Sequence, residues 1–181
     1  ASGIQNSGFG VGACIKHFAA NNQETNRSCV DEWIGQRTLR EIYLRGFEIA
    51  VRDSQPLAIM TSYNLINGIP TADSYDLCTA LARGEWKFNG LIMTDWNGGS
   101  SSASKSMYAG NDLIMPGGNT KVREILLAVK QMEPVFDDKG QILFSKVYEQ
   151  LPFYEEYWNS FQCRILQNIT LVKPVTGFIN A

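Results

Sequence analysis

The sequence predicts an α/β protein built on a parallel sheet, and two features of the chain carry that prediction. Short apolar runs alternate with longer stretches of helical periodicity, which is the pattern of strands joined by crossover helices. The predicted strands end in polar or aromatic residues, at the edge of a parallel sheet where α/β proteins place their functional groups. Both features lie in the first two-thirds of the 181 residues.

Four strands and four helices are predicted from this alternation. The strands are short apolar runs bounded by turn residues, and they cover residues 10–18, 57–63, 91–95 and 112–115. The third contains a continuous Leu-Ile-Met run, which is typical of a strand buried on both faces. The predicted helices cover residues 31–52, 73–86, 101–109 and 121–132, and a turn is expected at residues 67–70. Asp73 or Ser74 is the expected cap of the second helix.

Four parallel strands are too few to close a barrel, which needs eight. The sheet is therefore either an open doubly wound sheet or part of a barrel. No GxGxxG or GxxxxGK[ST] motif follows the first strand, so nothing supports nucleotide binding. From Glu133 the sequence pattern changes and predicts a loop, followed by helical stretches at residues 145–151 and 154–171. We therefore predict a first domain at residues 1–133 and an extension at residues 134–181.

Composition excludes several classes of function. A net charge of −2 gives no reason to expect nucleic acid or an anionic membrane surface as a partner, and no apolar run is long enough to cross a bilayer. The first residue is Ala1 rather than Met, so we expect a processed chain or a piece of a longer one. The four cysteines form no CxxC pair and are expected to be free buried thiols, with disulfides left open. The compartment stays open.

Three predicted strand ends carry polar or aromatic pairs. They are Lys16-His17, Tyr63-Asn64 and Asp95-Trp96. Because the carboxyl ends of parallel strands meet at one edge of a sheet, we expect these side chains to converge. His17 is the only histidine, so a catalytic metal site is not expected. Lys16 could form a Schiff base if it were buried.

Several motifs in order resemble glycoside hydrolase family 3, the β-glucosidase type. The resemblance runs from about Gly10 to Gly118 through these segments: KHFAANNQETNR at 16–27, MTSYN at 60–64, NGIP at 67–70, EW at 85–86, TDW at 94–96 and AGNDLIMPG at 109–117. Residues 161–169 are similar, more loosely, to the helix that closes the family's barrel domain. Residues 19–22 differ from the motif of the family's N-acetylglucosaminidase branch.

The resemblance implies the C-terminal half of a (β/α)₈ TIM-type barrel, with four βα units and a helical C-terminal extension that closes the barrel. It implies a retaining, exo-acting glycosidase that removes terminal β-D-glucosyl or related residues, with Asp95 as the nucleophile. The positions that match the family's sugar pocket are Lys16, His17, Arg27, Met60, Tyr63 and Trp96. No cofactor or metal is implied.

The resemblance also places the general acid/base outside this chain. The implied partners are β-linked glucosides or oligosaccharides, and the remaining barrel half and α/β sandwich domain of the same protein. We expect the chain to be one fragment of a larger protein. Two other hypotheses are a non-catalytic carbohydrate-binding fragment and a lyase that uses a Schiff base on Lys16.

Overall fold

The computed structural model describes residues 1–130, with side chains through residue 128. By its internal contacts the chain divides into two units, Ala1–Glu124 and Ile125–Ala181. The candidate site lies in the first of these. The predicted loop and helices of residues 134–181 lie outside the described residues, so that part of the domain prediction stays a prediction.

The described residues contain six strands. They are β1 (Cys14–Phe18), β2 (Asp31–Glu32), β3 (Ala58–Thr61), β4 (Leu65–Ile66), β5 (Ile69–Pro70) and β6 (Leu91–Met93). The main sheet has the order β1-β3-β6, and both of its pairings are parallel. The predicted α/β class and the first three predicted strands are therefore confirmed, although each strand is shorter than its apolar run.

The helices of the same residues differ in type and length. They are α1 (Ser2–Gln5), α2 (Gln36–Thr38), α3 (Arg45–Ser54), α4 (Ala103–Ala109) and α5 (Asn119–Lys130), with π-helical segments at Leu39–Tyr43 and Asp76–Glu85 and 3₁₀ turns at Thr71–Asp73 and Trp96–Gly98. None of the helices in residues 1–130 has the length and apolar character needed to cross a membrane.

The fourth predicted strand, residues 112–115, is reduced to a parallel bridge between Met93 and Leu113. Side chains replace main-chain partners on either side of that bridge. An Asp112 carboxylate oxygen accepts a hydrogen bond from Ile92 N at 2.8 Å, and Thr94 Oγ1 accepts one from Met115 N at 2.9 Å. The described residues therefore hold three strands of the main sheet and a bridge where four strands were expected.

The helix predicted for residues 31–52 begins later than expected, at Gln36. Asp31 and Glu32 instead form β2, which pairs in parallel with β4. The Asn67 side chain holds Ile34 out of the helix, because its Oδ1 accepts from Ile34 N at 2.9 Å and its Nδ2 donates to Ile34 O at 3.0 Å. A contact across more than 30 residues thus overrides local helical periodicity.

The predicted turn at residues 67–70 is confirmed as the hairpin between β4 and β5. Its connecting residues Asn67 and Gly68 have φ values of 51° and 83°. Two left-handed residues in succession suit the twist of a two-residue hairpin, and Asn-Gly is the pair that adopts this conformation most readily.

The buried core combines residues of the main sheet with residues of the surrounding helices. Phe18 from β1, Ile59 from β3 and Ile92 from β6 are fully buried. Phe18 meets the rings of Phe47 and Trp86 edge-on, with centroid distances of 5.0 and 5.9 Å. Phe18 is the last residue of β1 and follows His17, so these contacts fix the carboxyl end of the strand.

The prediction of buried thiols is wrong for two cysteines. Cys78 is buried, as expected, but Cys14 and Cys29 are exposed free thiols. Cys14 lies on β1, which pairs only with β3 within the described residues, and Cys29 lies in the loop before β2. Cys163 lies outside the described residues.

Asp73 bonds to the start of α4, whose N-cap is Ser102, rather than to the start of the predicted helix. Its carboxylate accepts hydrogen bonds from Ser102 N at 3.1 Å and from Ser106 Oγ at 2.7 Å, at the start of α4. Ser74 Oγ accepts from Leu77 N at 3.3 Å at the start of the Asp76–Glu85 segment. Burial raises the pKa of Asp73 above its ordinary value of 3.8, and the nearby Glu124 adds to the rise, while the two serine hydrogen bonds and Lys105 oppose it.

The raised pKa of Asp73 predicts a pH-dependent difference between the wild type and Asp73→Asn. The folded state holds the Asp73 proton more tightly than the unfolded state. The stability that this proton contributes is therefore complete below about 3.8 and is lost as the pH rises through the folded pKa. Melting temperatures of both proteins should be measured across this acidic range. As the pH rises, the melting temperature of the wild type should fall relative to that of the variant. A pH-independent difference would contradict the prediction.

Candidate active site

Side chains from three strand ends converge on the Asp95 carboxylate. Asp95 follows β6, and its Oδ1 accepts a hydrogen bond from Trp96 N at 2.6 Å. Its Oδ2 lies 3.3 Å from Nε2 of His17, which is on β1. The Asp95 carboxylate also acts on the Tyr63 hydroxyl, from the segment after β3, and raises its pKa. The expected convergence of His17, Tyr63 and Asp95 is therefore seen in the structure.

Arg27 joins this cluster through Tyr63. Its guanidinium carbon lies 5.0 Å from the centre of the Tyr63 ring, and its Nη1 lies 3.2 Å from a carboxylate oxygen of Glu24. Burial raises the pKa of Tyr63, the Asp95 carboxylate raises it further, and the Arg27 cation opposes both effects. Tyr63 therefore stays neutral at physiological pH and keeps a hydroxyl proton that it can donate.

Hydrogen bonds to one carbonyl tie the end of β1 to the end of β3. Ser62 Oγ and Asn64 Nδ2 both donate to Ala19 O, at 3.0 and 3.1 Å. Asn64 Nδ2 also donates to Glu32 Oε2 at 2.7 Å. Burial raises the pKa of Glu32, and the Asn64 hydrogen bond opposes the rise. Because Tyr63 lies between Ser62 and Asn64, this network fixes its position relative to His17.

The glycine-rich segment after Asp95 packs closely against the Tyr63 main chain. A Cβ atom added to Gly99, whose φ is +60°, would lie 2.6 Å from Tyr63 O. Asn97 also has a left-handed φ, of 66°. Glycine at residue 99 therefore lets the loop after Asp95 approach the backbone that carries Tyr63.

Three predicted pocket residues lie at the same strand ends without joining the cluster. Lys16 on β1 is exposed, Met60 on β3 is half-buried, and the Trp96 side chain is 58% exposed. In the described part of the chain, no hydrogen bond or ion pair joins any of their side chains to Asp95. Exposure of Lys16 removes the burial that a Schiff-base lysine requires, which counts against the lyase hypothesis.

Sequence reasoning named Asn64 as a polar strand-end residue but missed the other groups that hold the site together. Ser62, Glu32 and Gly99 act through contacts between segments distant in sequence. Ser62 lies next to Tyr63, which is the one local signal that could have drawn attention to it. Within the described residues, no group of three or more His, Cys, Asp or Glu side chains is arranged to hold a metal ion.

These features define an α/β domain with a carboxylate-centred site at the carboxyl edge of a parallel sheet. Residues 1–145 match the glycosyl hydrolase family 3 N terminal domain. The chain therefore belongs to glycosyl hydrolase family 3, and the resemblance noted in the sequence is confirmed.

Named relatives agree with this assignment. The chain is 48% identical over 139 residues to beta-glucosidase B of Emericella nidulans, covering 74% of this chain and 16% of that protein. It is 47% identical over 128 residues to an exo-alpha-(1->6)-L-arabinopyranosidase of Bifidobacterium longum, covering 71% of this chain and 16% of that protein. The chain thus spans about a sixth of the length of these curated relatives.

A solved structure gives the same result at the level of the fold. Beta-glucosidase 3B from Thermotoga neapolitana, in complex with glycerol, superposes with a TM-score of 0.67 at 48% identity. The match covers 72% of this chain and 19% of that one.

Proposed function

We propose that this chain supplies the nucleophile and part of the sugar pocket of a retaining, exo-acting glycoside hydrolase of the β-glucosidase type. The observation that carries the proposal is the Asp95 carboxylate, fixed by Trp96 N and flanked by His17 and the Tyr63 hydroxyl at the end of β6. A carboxylate held in one orientation on a rigid strand end is suited to in-line attack on an anomeric carbon.

The proposed reaction proceeds in two displacements. One Asp95 oxygen attacks the anomeric carbon as the bond to the leaving oxygen breaks, and a general acid gives that oxygen its proton. The products of this step are the free aglycone and a glycosyl ester on Asp95. Water, deprotonated by the same group acting as a base, then attacks the anomeric carbon, releases the sugar and restores the carboxylate. We assign the acid/base group to a part of the protein outside this chain.

The remaining site residues are assigned to sugar binding. Lys16, His17 and Arg27 carry N–H donors that suit sugar hydroxyls. The exposed indole of Trp96 suits packing against the apolar face of a pyranose, and Met60 suits the pocket floor. Before sugar binds, His17 is occupied by Asp95, so binding would exchange this contact for one to a hydroxyl.

The proposed substrate is a terminal β-D-glucosyl residue of a glucoside or oligosaccharide. Names of relatives support glucose first, since beta-glucosidases from Emericella nidulans and Ruminococcus albus are among them. Because one relative is named as an arabinopyranosidase, related pyranosides should be tested together with glucosides.

We further propose that this chain forms the C-terminal half of a (β/α)₈ barrel and works with the other half and an α/β sandwich domain of the same protein. Within the described residues β1 pairs on one side only, which leaves a parallel edge for further strands. Several large apolar side chains are also exposed, among them Phe9 at 85% and Trp33 at 81%. Such an edge and such side chains are normally covered in a folded protein.

Covalent labelling of the full-length protein tests this function. A deoxyfluoro-β-glucosyl fluoride forms the glycosyl ester readily but slows its hydrolysis, so the ester accumulates. Mass analysis of a peptic digest should locate the sugar on the peptide that contains Asp95. A label on another carboxylate would contradict the assignment of the nucleophile. Saturable glucose binding with neither label nor turnover would instead favour the non-catalytic carbohydrate-binding alternative.

The Tyr63 hydroxyl is predicted to contribute to the rate of the same reaction. Tyr63→Phe removes the hydroxyl whose pKa Asp95 raises but keeps the ring under Arg27. We expect kcat on an aryl β-glucoside to fall about 100-fold, as when one preorganised donor is removed from an active site. Tyr43→Phe, which removes a hydroxyl from the Leu39–Tyr43 segment, should leave kcat unchanged. Equal effects of the two variants would contradict the role of Tyr63.

A further inference from the structure

Thr94, the residue between β6 and Asp95, is almost fully buried, with 1% of its surface exposed. Its main-chain N–H donates to Leu113 O at 3.0 Å, which continues the parallel pairing of the bridge at Met93. In a regular parallel ladder the next bond would run from Met115 N to the carbonyl oxygen of Thr94. Here Met115 N donates to the Thr94 hydroxyl instead, at 2.9 Å.

The hydroxyl thus takes the place of the carbonyl in the ladder. Because the side chain satisfies Met115 N, the main chain of Thr94 does not have to continue in strand register. The chain turns out of the sheet at the next residue, where Asp95 begins the 3₁₀ turn Trp96–Gly98.

A second bond to the same partner holds the far side of that turn. Asn97 N donates to Met115 O at 2.8 Å, and Gly98 N donates to Asp95 O at 2.9 Å. Asp95 and Trp96, whose N–H orients the carboxylate, therefore lie between two hydrogen bonds to the main chain of Met115. Removal of the Thr94 hydroxyl would release one of the two and leave a donor without its acceptor.

From this geometry we infer that Thr94 is a positioning residue for the nucleophile, acting through Met115 to set where the Asp95 carboxylate points. The inference rests on the proposed function of Asp95. It assigns to Thr94 a role in the rate of attack and none in sugar binding, since its buried hydroxyl is bonded to the main chain.

The labelling reaction separates these two roles in the full-length protein. The rate of inactivation by the deoxyfluoro-β-glucosyl fluoride, measured as a function of concentration, gives a binding constant and a maximal rate of ester formation. In Thr94→Val, which keeps the shape but not the hydroxyl, we expect the maximal rate to fall about 10- to 100-fold while the binding constant changes by less than about threefold. Thr94→Ser, which keeps the hydroxyl, should restore most of the rate.

Thr79→Val is the matched control for loss of a buried threonine hydroxyl. Thr79 Oγ1 donates to Ala109 O at 2.7 Å, and Thr79 lies in the Asp76–Glu85 segment rather than at one of the strand ends that carry the site. This variant is expected to lose stability but to label at the wild-type rate. Because misfolded protein lowers the amplitude of labelling rather than its rate constant, reduced folding does not imitate the expected result.

The outcomes distinguish the inference from the function on which it rests. If wild-type protein is not labelled on Asp95, the proposed function fails. If the wild type is labelled and Thr94→Val reacts at the same maximal rate, the positioning role of Thr94 is wrong. A fall in rate that Thr94→Ser does not restore, or that Thr79→Val reproduces, also overturns it. If Thr94→Val cannot be isolated, Thr94→Ala is measured in the same way and judged by the same results.

Discussion

Replacement of Asp95 by alanine in the full-length protein is expected to lower kcat on aryl β-glucosides by on the order of 10⁶-fold, the scale seen when a nucleophile is removed from an active site. Among the described residues, no other carboxylate lies beside both His17 and Tyr63. The glycosyl ester therefore cannot form once the Asp95 side chain is removed. Steady-state rates of purified variant and wild type measure the effect. Asp53→Asn, which alters an exposed carboxylate on α3, should leave kcat unchanged.

The configuration of a rescued product makes this prediction specific. The space left by the Asp95 carboxylate in Asp95→Ala is open to a small anion such as azide. Azide would attack the anomeric carbon from the same face and, because no second displacement follows, would yield the α-glucosyl azide. Restored turnover with that product supports a nucleophilic role. Wild-type activity in Asp95→Ala, or rescue that yields the β-azide, would contradict it.

The sequence predicted the main sheet well because its strands depend on local pattern. The run Leu91-Ile92-Met93 is apolar on successive residues, and that alone predicts a strand of a parallel sheet. Ile92 is fully buried as expected, but Leu91 is exposed, so the described residues do not cover both faces. The same reasoning found the strand ends, and from them His17, Tyr63 and Asp95. Parallel strands bring their carboxyl ends to one edge whatever the details of packing.

Local pattern failed where side chains replace the main chain as hydrogen-bonding partners. Residues 112–115 have the composition of a strand, but Asp112 accepts from Ile92 N and Thr94 accepts from Met115 N, so the ladder is interrupted. The Asn67 side chain bonds to the main chain of Ile34 in a similar way, so the helix begins only at Gln36. The local sequence does not predict which polar side chain will hydrogen-bond to the main chain, because such bonds join segments that the fold brings together.

The candidate site likewise combines residues that local sequence reveals with contacts that depend on the fold. Residue types with evident chemistry were found from the sequence, and so was Arg27 through the family resemblance. The contacts that set their geometry were not, because Ser62 and Asn64 act through the carbonyl of Ala19, 43 and 45 residues away. Lys16, Met60 and the indole of Trp96 are near neighbours of the cluster in sequence, yet in the described structure they make no polar contact with Asp95.

Phe18→Ala is expected to have the largest effect on stability, because Phe18 links the site to the core. Its ring is fully buried against Phe47 and Trp86, and truncation would leave a cavity that these large rings cannot easily fill. Loss of a buried phenylalanine costs about 3–5 kcal/mol of unfolding free energy. The transition of the domain that carries this chain, followed by calorimetry of the full-length protein, should move to a markedly lower temperature.

The expected loss in Phe18→Ala extends to activity, because Phe18 is the residue after His17. A cavity beneath the end of β1 would loosen the 3.3 Å approach of His17 to Asp95, so the folded fraction should also show a reduced kcat. Phe18→Leu, which refills most of the volume, is the matched control and should lose less of both stability and activity. If Phe18→Ala melted within a few degrees of the wild type, the end of β1 would not depend on this packing, and the geometry of His17 would have to be fixed by the hydrogen bonds to Ala19 alone.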